Sequence, residues 1–506
     1  MSTRRQTILQ ASLALFVFGL LRLVLSVASQ AAIVGAFGLS HETDAFVLAL
    51  SVPKFVGDSL LGGVLFFALI PTVVSCREHA GDEAVKRLVS VLFTIATTVL
   101  LLCTLLLYFF PEQAIIAVAP RIEPDQRDLA VALARTLAPM FLLFGLSIFF
   151  TALLQAYRHF VYAAAAATLP AVCTLFACVF LAEKHGIIAI AWAALVGGAL
   201  QLVVLMLACA KFAIVPRPTL RWHHEALPTV GRIVVPTAVI TLIGNAPFFF
   251  QRAVASDADG VVAALDLGLM IGRLPLALVV APVVGAAFPA LALEQARDNQ
   301  KALVDCFDRT LRVLHFAVVP ILLLMALQAQ PFIDVLFARG DFDNADVEMA
   351  ATAIVMLAAG ILFWGQSELI NRAFFALQRP RYVIESKIAW LIVCIGLTPL
   401  IYPKWQIGGL AIAISAGMFA AVLVLFVRFN SQVSAWRFRA TAVSAIRLMP
   451  ALAVLALVVI ASDYLPVTGI IPLAGTSAVA ALAYCAVAHL SGLKEPGQLI
   501  ALLRSS

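Results

Sequence analysis

Apolar runs broken by short polar stretches repeat along the whole chain. Fourteen of them reach the roughly 20 residues that a helix needs to cross bilayer hydrocarbon. They fall at approximately 7–35, 45–75, 87–110, 129–156, 159–182, 187–210, 229–251, 262–292, 310–330, 349–377, 384–402, 407–428, 444–462 and 467–490. The pattern predicts an all-α polytopic membrane protein with about 14 transmembrane helices. The first run follows Arg4-Arg5 and is interrupted by Arg22, with no convincing cleavage site after it. It reads as an uncleaved span, not as a secretory leader.

The polar connections alternate in sign. Those leading from odd to even spans carry Glu42 and Asp44, then Glu112, Glu123 and Asp125, then Asp257 and Asp259, then Asp341, Asp343 and Asp346. Those leading from even to odd spans carry Arg77, Lys86 and Arg87, then Lys211, Arg217 and Arg221, and the later ones follow suit up to Arg428, Arg437 and Arg439. Lys and Arg accumulate on the cytoplasmic side of membrane proteins, which places both termini in the cytoplasm and favours an even number of spans.

Two stretches recur at nearly one offset. Thr43-Asp44 with Pro53 nine residues on has a counterpart in Leu265-Asp266 with Pro275. The segment Ala156 to Val161 has a counterpart in Leu377 to Tyr382. The shared spacing suggests a lobe of six helices at 1–220, a second at 221–430, and two added helices with a tail at 431–506. Transporters commonly bind substrate between such repeats.

Composition agrees with the membrane assignment. Of the 506 residues 63% are apolar and only 12% charged, against about 25% charged in soluble domains. The net charge of +6 comes with no basic patch interleaved with aromatics, so nucleic acid is not implied. The eight cysteines are scattered and form no Cys-x-x-Cys, which favours neither zinc nor disulfides. His223-His224 has no acid or cysteine at metal-ligand spacing. No Walker motif and no catalytic constellation emerge, so the chain reads as a transporter without a cofactor, driven by membrane potential or an ion gradient.

Charges inside spans are costly and usually face a partner or a wet cavity. Arg22, Lys54, Arg273, Asn245 and Gln251 are the candidate cavity residues. Asp44, Asp58, Arg252, Glu368 and Arg372 are the candidate gate or ion-pair residues. Lys54 and Asp58 are four apart, as are Glu368 and Arg372, so each pair can neutralise itself on one helix face. Arg22 and Arg273 have no acid three or four positions away, which leaves guanidinium groups suited to phosphate. Asp44, at a helix start, reads as a cap for that helix. Pro53, Gly62, Gly63, Pro275 and Pro282 mark weak points where spans can bend.

Several stretches resemble the MurJ (MviN-like) lipid II flippases of the multidrug/oligosaccharidyl-lipid/polysaccharide exporter superfamily. They are Leu21-Arg22-Leu-Val, Phe37-Gly38, Thr43-Asp44-Ala-Phe with Pro53, the run from Ala191 through Gly197-Gly198 to Leu202, Val335 to Phe342 around Arg339-Gly340, and Arg372 to Gln378. The resemblance covers essentially the whole chain. It implies two pseudo-symmetric six-helix lobes and two C-terminal helices around a central cationic cavity. It also implies a flippase that moves an undecaprenyl-pyrophosphate-linked glycan across the bacterial inner membrane by alternating access, with cell-wall or polysaccharide synthesis enzymes as protein partners. Arg22 and Asp44 match family positions and become cavity or gate residues. Elsewhere the chain departs. Ser29-Gln30 stand where the family has Arg-Asp, Gly57-Asp58 where it has arginines, and Met270 and Arg273 where it has Arg and Glu. The departures keep open another polyprenyl-linked glycan, such as an exopolysaccharide or O-antigen unit, or a cation-coupled drug exporter. A non-transporting scaffold would leave the intramembrane charge without a reason.

Overall fold

The computed structural model describes residues 2–57, 63–157, 159–212, 214–219, 225, 227–433, 439–462, 469–493 and 495. Among them every regular element is helical. Among the described residues eleven helices are long and apolar enough to cross a membrane, or twelve if the pair 124–137 and 140–156, bent by 44°, is one span. The expected span 45–75 runs through 58–62, outside the described residues. The expected spans 384–402 and 407–428 lie in one 52-residue element, Arg381–Gln432. At 1.5 Å per residue that is about 78 Å, far more than one crossing. It breaks at Gln406, whose φ of 44° is not helical, so the two expected crossings remain distinct.

The chain packs as two compact units, Met1–Ala263 with Arg339–Phe342, and Ala264–Ala338 with Asp343–Ser506. The first holds α1 (Ser2–Phe37), α2 (His41–Gly57), α3 (Gly63–Phe109), α4 (Pro111–Val118), α5 (Pro124–Leu137), α6 (Met140–Ala156), α7 (Phe160–Ala166), α8 (Leu169–Phe180), α9 (Ala182–His185), α10 (Ile187–Lys211) and α11 (Leu227–Ala255). One apolar core joins α2, α5 and α10 around Ala45, Leu133 and Ile190. A second joins α3, α6 and α10 around Leu88, Phe149 and Leu205. Proline opens α4 and α5, where its missing N–H costs no hydrogen bond.

The boundary of the units falls inside α12 (Val261–Gly272). The second unit continues with α13 (Ala281–Ala296), α14 (Gln300–Leu327), α15 (Ala329–Phe337), α16 (Asn344–Ala376), α17 (Arg381–Gln432), α18 (Arg439–Ser462) and α19 (Ile470–Leu490). Between Pro275 and α13 the backbone forms a π-helical turn, Leu276–Val280. Asp343 caps α16 by accepting from the amides of Ala345 and Asp346. Small residues let α12 and α16 approach closely, since a Cβ on Gly268 would stand 2.8 Å from the Ala353 Cβ and one on Gly272 2.9 Å from Ile361. The α19 helix is fastened to α14 by the Tyr484 hydroxyl, which donates to the Phe316 carbonyl at 2.9 Å. Near one end Ser477 donates to Gln328 at 2.6 Å, and beyond the other Arg312 lies 3.9 Å from Glu495.

Element boundaries repeat along the chain. His41 and Val261 start α2 and α12, and Pro124 and Asn344 start α5 and α16. Ala156 and Ala376 end α6 and α16. Every pair is separated by the same interval. The backbone breaks at Gly186, with φ 62°, and at Gln406, with φ 44°, share that interval too. The repeat describes kinship between segments, whereas the unit boundary describes packing, so α11 packs with the first unit although the sequence offset groups it with the second copy.

Candidate functional site

One end of the first unit is a polar knot built around the turn between α1 and α2. The α1 helix stops at Gly38, whose φ is 63°. The Thr43 hydroxyl caps α2 by accepting from the Ser40 amide at 2.8 Å while donating to the Ser40 carbonyl at 2.9 Å. Two glycines press on the turn. Gly340, at φ 62°, lies so near the Gly35 carbonyl that a Cβ would sit 1.9 Å from its oxygen, and a Cβ on Gly260, at φ 70°, would sit 2.4 Å from the Leu39 oxygen. The Asp341 amide donates to the Gly35 carbonyl at 3.0 Å. The Arg339-Gly340 pair singled out in the sequence therefore works as a backbone dock for the end of α1.

Asp44 is buried at this knot and accepts from the Ala263 amide at 2.7 Å. It also faces the amides of Gly260 and Val262. The expectation that Asp44 caps its own helix is corrected by this geometry: Thr43 performs that role, and Asp44 caps the N-terminus of α12 across 219 residues of chain. Its other oxygen, Oδ2, has no hydrogen-bond partner among the described residues. Burial pushes the carboxyl up to about 8, outweighing the backbone amides that pull it down. His41 Nδ1 lies 2.6 Å from Asp259, and the Arg121 amide donates to Ser256 at 3.2 Å. The connection between α11 and α12 is thus stitched to both the α1–α2 turn and the α4–α5 loop. The Asp44–Ala263 hydrogen bond joins α2 directly to the start of α12.

Farther from the knot, Arg22 on α1 and Lys54 on α2 expose their side chains. Pro53 is buried within α2. Phe55 packs on Phe249 with ring centroids 4.0 Å apart, and the Arg252 guanidinium lies 5.9 Å from the Phe249 ring. Gln251 is fully buried and Asn245 half-buried on α11. Asp58 and Gly62 lie outside the described residues, so the Lys54–Asp58 pair is outside them too; Gly63 opens α3.

In the second unit Arg273 stands 4.9 Å over the Trp364 ring and Arg372 5.7 Å over Phe288. Ring faces attract guanidinium groups and lower the cost of holding them away from bulk water. The expected Glu368–Arg372 ion pair does not form, since the two are not within 4.0 Å of each other among the described residues. Glu368 is instead the acidic neighbour of Lys387, whose ammonium lies 5.2 Å from the Trp390 ring. Four-residue spacing permits a pair but does not compel one. Pro275 and Pro282 flank the π-helical turn, with Pro282 in the first turn of α13.

The sequence did not reveal Lys387 as a charged neighbour of Glu368, because it stood at the presumed edge of a span. Nor did it reveal the contact of His315 with Gln366, whose side-chain nitrogens are 2.8 Å apart. The aromatic partners of the arginines carry no spacing signal, because they lie on other elements.

A model of the lipid II flippase MurJ family matches residues 33–470. The chain belongs to that family. As a MurJ-family protein it is a transporter and not an enzyme. The lipid II flippase MurJ of Burkholderia cenocepacia is 26% identical over 82% of this chain and 82% of its own length. The fold is similar to that of a lipid II flippase MurJ solved in an inward closed conformation, with a TM-score of 0.79, 18% identity, and coverage of 95% of this chain and 98% of that one. It is also similar to an inward-facing multidrug resistance MATE transporter of the MOP superfamily, with a TM-score of 0.69, 16% identity, and coverage of 82% and 95%.

Proposed function

We propose that this MurJ-family chain moves lipid II, an undecaprenyl-pyrophosphate-linked glycan, from the cytoplasmic to the periplasmic leaflet by alternating access. The family match across residues 33–470 carries the reading. Arg22 and Lys54 in the first unit, and Arg273 in the second, supply cations suited to a pyrophosphate, and the contact of Asp44 with the start of α12 serves as a latch that closes the acidic-loop end between cycles. Pro53 in α2 and the π turn between Pro275 and Pro282 let these helices bend. Membrane potential or an ion gradient drives the cycle, with no bound cofactor. The protein lies in the inner membrane with both termini in the cytoplasm, as its Lys and Arg distribution favours.

The test is rescue. When the essential lipid II flippase of a test bacterium is depleted, this chain is expected to restore growth. Arg22→Ala and Arg273→Ala are each expected to abolish rescue while the protein still inserts. Growth restored by both variants would remove these residues from the site. A second reading, another polyprenyl-linked glycan as cargo, is favoured by Ser29, Gln30 and Met270, which replace charged family positions. It predicts an inserted protein that fails to rescue.

A further inference from the structure

The Lys/Arg-rich end of the second unit carries a cluster that the transport reading does not use. Tyr382, in the first turn of α17, is buried with its ring 5.1 Å from that of Phe374. Three arginines gather around it. Arg381 donates from Nη2 to the Tyr382 hydroxyl at 2.6 Å, and its guanidinium lies 4.6 Å from the ring. Arg428 comes from the far end of the same element, its guanidinium 5.5 Å from the ring and its Nε 2.7 Å from Glu385. Arg379 is held by Gln432. Of the three guanidinium groups only that of Arg428 meets a carboxylate among the described residues, and all three side chains are exposed.

The first unit holds a corresponding seat. Tyr162 is the counterpart of Tyr382 at the repeat interval, at the corresponding start of α7. Among the described residues it meets Lys211, whose ammonium donates to the hydroxyl at 2.9 Å and lies 5.3 Å from the ring. Phe212 and His159 complete that seat, stacked 3.5 Å apart. Among the described residues the first-unit seat holds one ammonium and the second-unit seat three guanidinium groups.

The geometry points to an anionic phospholipid headgroup as the occupant of the Arg379–Arg381–Arg428 cluster. Arginine pairs with phosphate oxygens through parallel N–H donors. The cluster sits at the end of membrane-crossing helices, where headgroup phosphates lie and where basic residues attract acidic lipids. The site is separate from the candidate transport residues and binds a lipid that is not carried.

The full-length protein, purified in detergent, is incubated with phosphatidylglycerol or with phosphatidylcholine, and retained lipid is counted by native mass spectrometry. Phosphatidylglycerol is expected to be retained in preference to phosphatidylcholine. The triple variant Arg379→Gln, Arg381→Gln, Arg428→Gln is expected to lose at least about fivefold of that retention. A control triple, Arg87→Gln, Arg217→Gln, Arg297→Gln, removes equal charge from other basic connections and is expected to retain the lipid. Should the cluster triple fold poorly, Arg381→Lys keeps the charge and removes the fork, and is expected to weaken retention alone. Equal loss in the two triples, or no loss in the cluster variants, overturns the site. Displacement of the lipid by an equal concentration of inorganic phosphate overturns the lipid as its ligand.

Discussion

Asp44 joins one oxygen to the Ala263 amide and keeps the other without a hydrogen-bond partner among the described residues, and that asymmetry decides how it titrates. Burial raises its carboxyl from 3.8 to about 8. Below the unfolded value both states hold the proton. Between about pH 4 and pH 8 the unfolded chain has released it and the folded chain keeps it, so folding binds a proton and stability falls as pH rises. Above 8 both states are ionised and the effect is flat. Asp44→Asn keeps an acceptor for the Ala263 amide and cannot titrate. The wild-type melting temperature, taken relative to Asp44→Asn, is therefore expected to decline from pH 5 to pH 8 and then level off. Parallel melting curves for the two proteins would show that Asp44 is not proton-linked. The residue was visible in the sequence as an acid at a helix start, but its partner was not, because capping of another helix depends on tertiary packing that no local spacing encodes. Arg273 and Arg372 show the same division: the sequence located the cations, and only the fold located Trp364 and Phe288 beneath them.

At the level of elements, length was legible where composition changed sharply and illegible where a break is conformational. The chain's apolar pattern separated the two halves of α17 at 402–407 from the polar residues around Lys404 and Gln406, and the backbone indeed turns at Gln406. The corresponding break in the first unit uses Gly186, for which positive φ carries no Cβ penalty. A side chain held at positive φ costs about 1–3 kcal/mol. Gln406 is exposed, so its replacement removes no packing. Gln406→Gly is expected to stabilise the protein by about 1 kcal/mol, less the extra chain entropy that glycine loses on folding. The converse change, Gly186→Gln, is expected to destabilise by about 1–3 kcal/mol, and detergent melting curves of the two variants measure both. An unchanged melting temperature in Gly186→Gln would mean that the break relaxes without strain. The π turn after Pro275 was legible only as a proline inside an apolar run. No side-chain period records its extra backbone width.

For the whole molecule, duplication and charge make one joint demand. Segments that recur at a constant interval, from the starts of α2 and α12 to the ends of α6 and α16, enter the membrane from the same side only if an even number of crossings separates them. The charges supply an independent vote. The acidic connections at 111–125 and 331–346 correspond at that interval, and so, within a single position, do the basic ends around Arg158 and Arg379. A chain whose loops obeyed the charge rule but whose copies ran in opposite directions could not show equal signs at equivalent positions. Both constraints are met when the termini and the basic connections share the cytoplasmic side. A green fluorescent protein fused to the C-terminus is therefore expected to fluoresce in the cytoplasm. Alkaline phosphatase fused after Phe342 is expected to be active in the periplasm, and fused after Arg217 to be inactive. Phosphatase activity at Arg217 with none at Phe342 would invert the protein in the membrane, and it would move the Asp44 latch to the cytoplasmic end of the transport cycle.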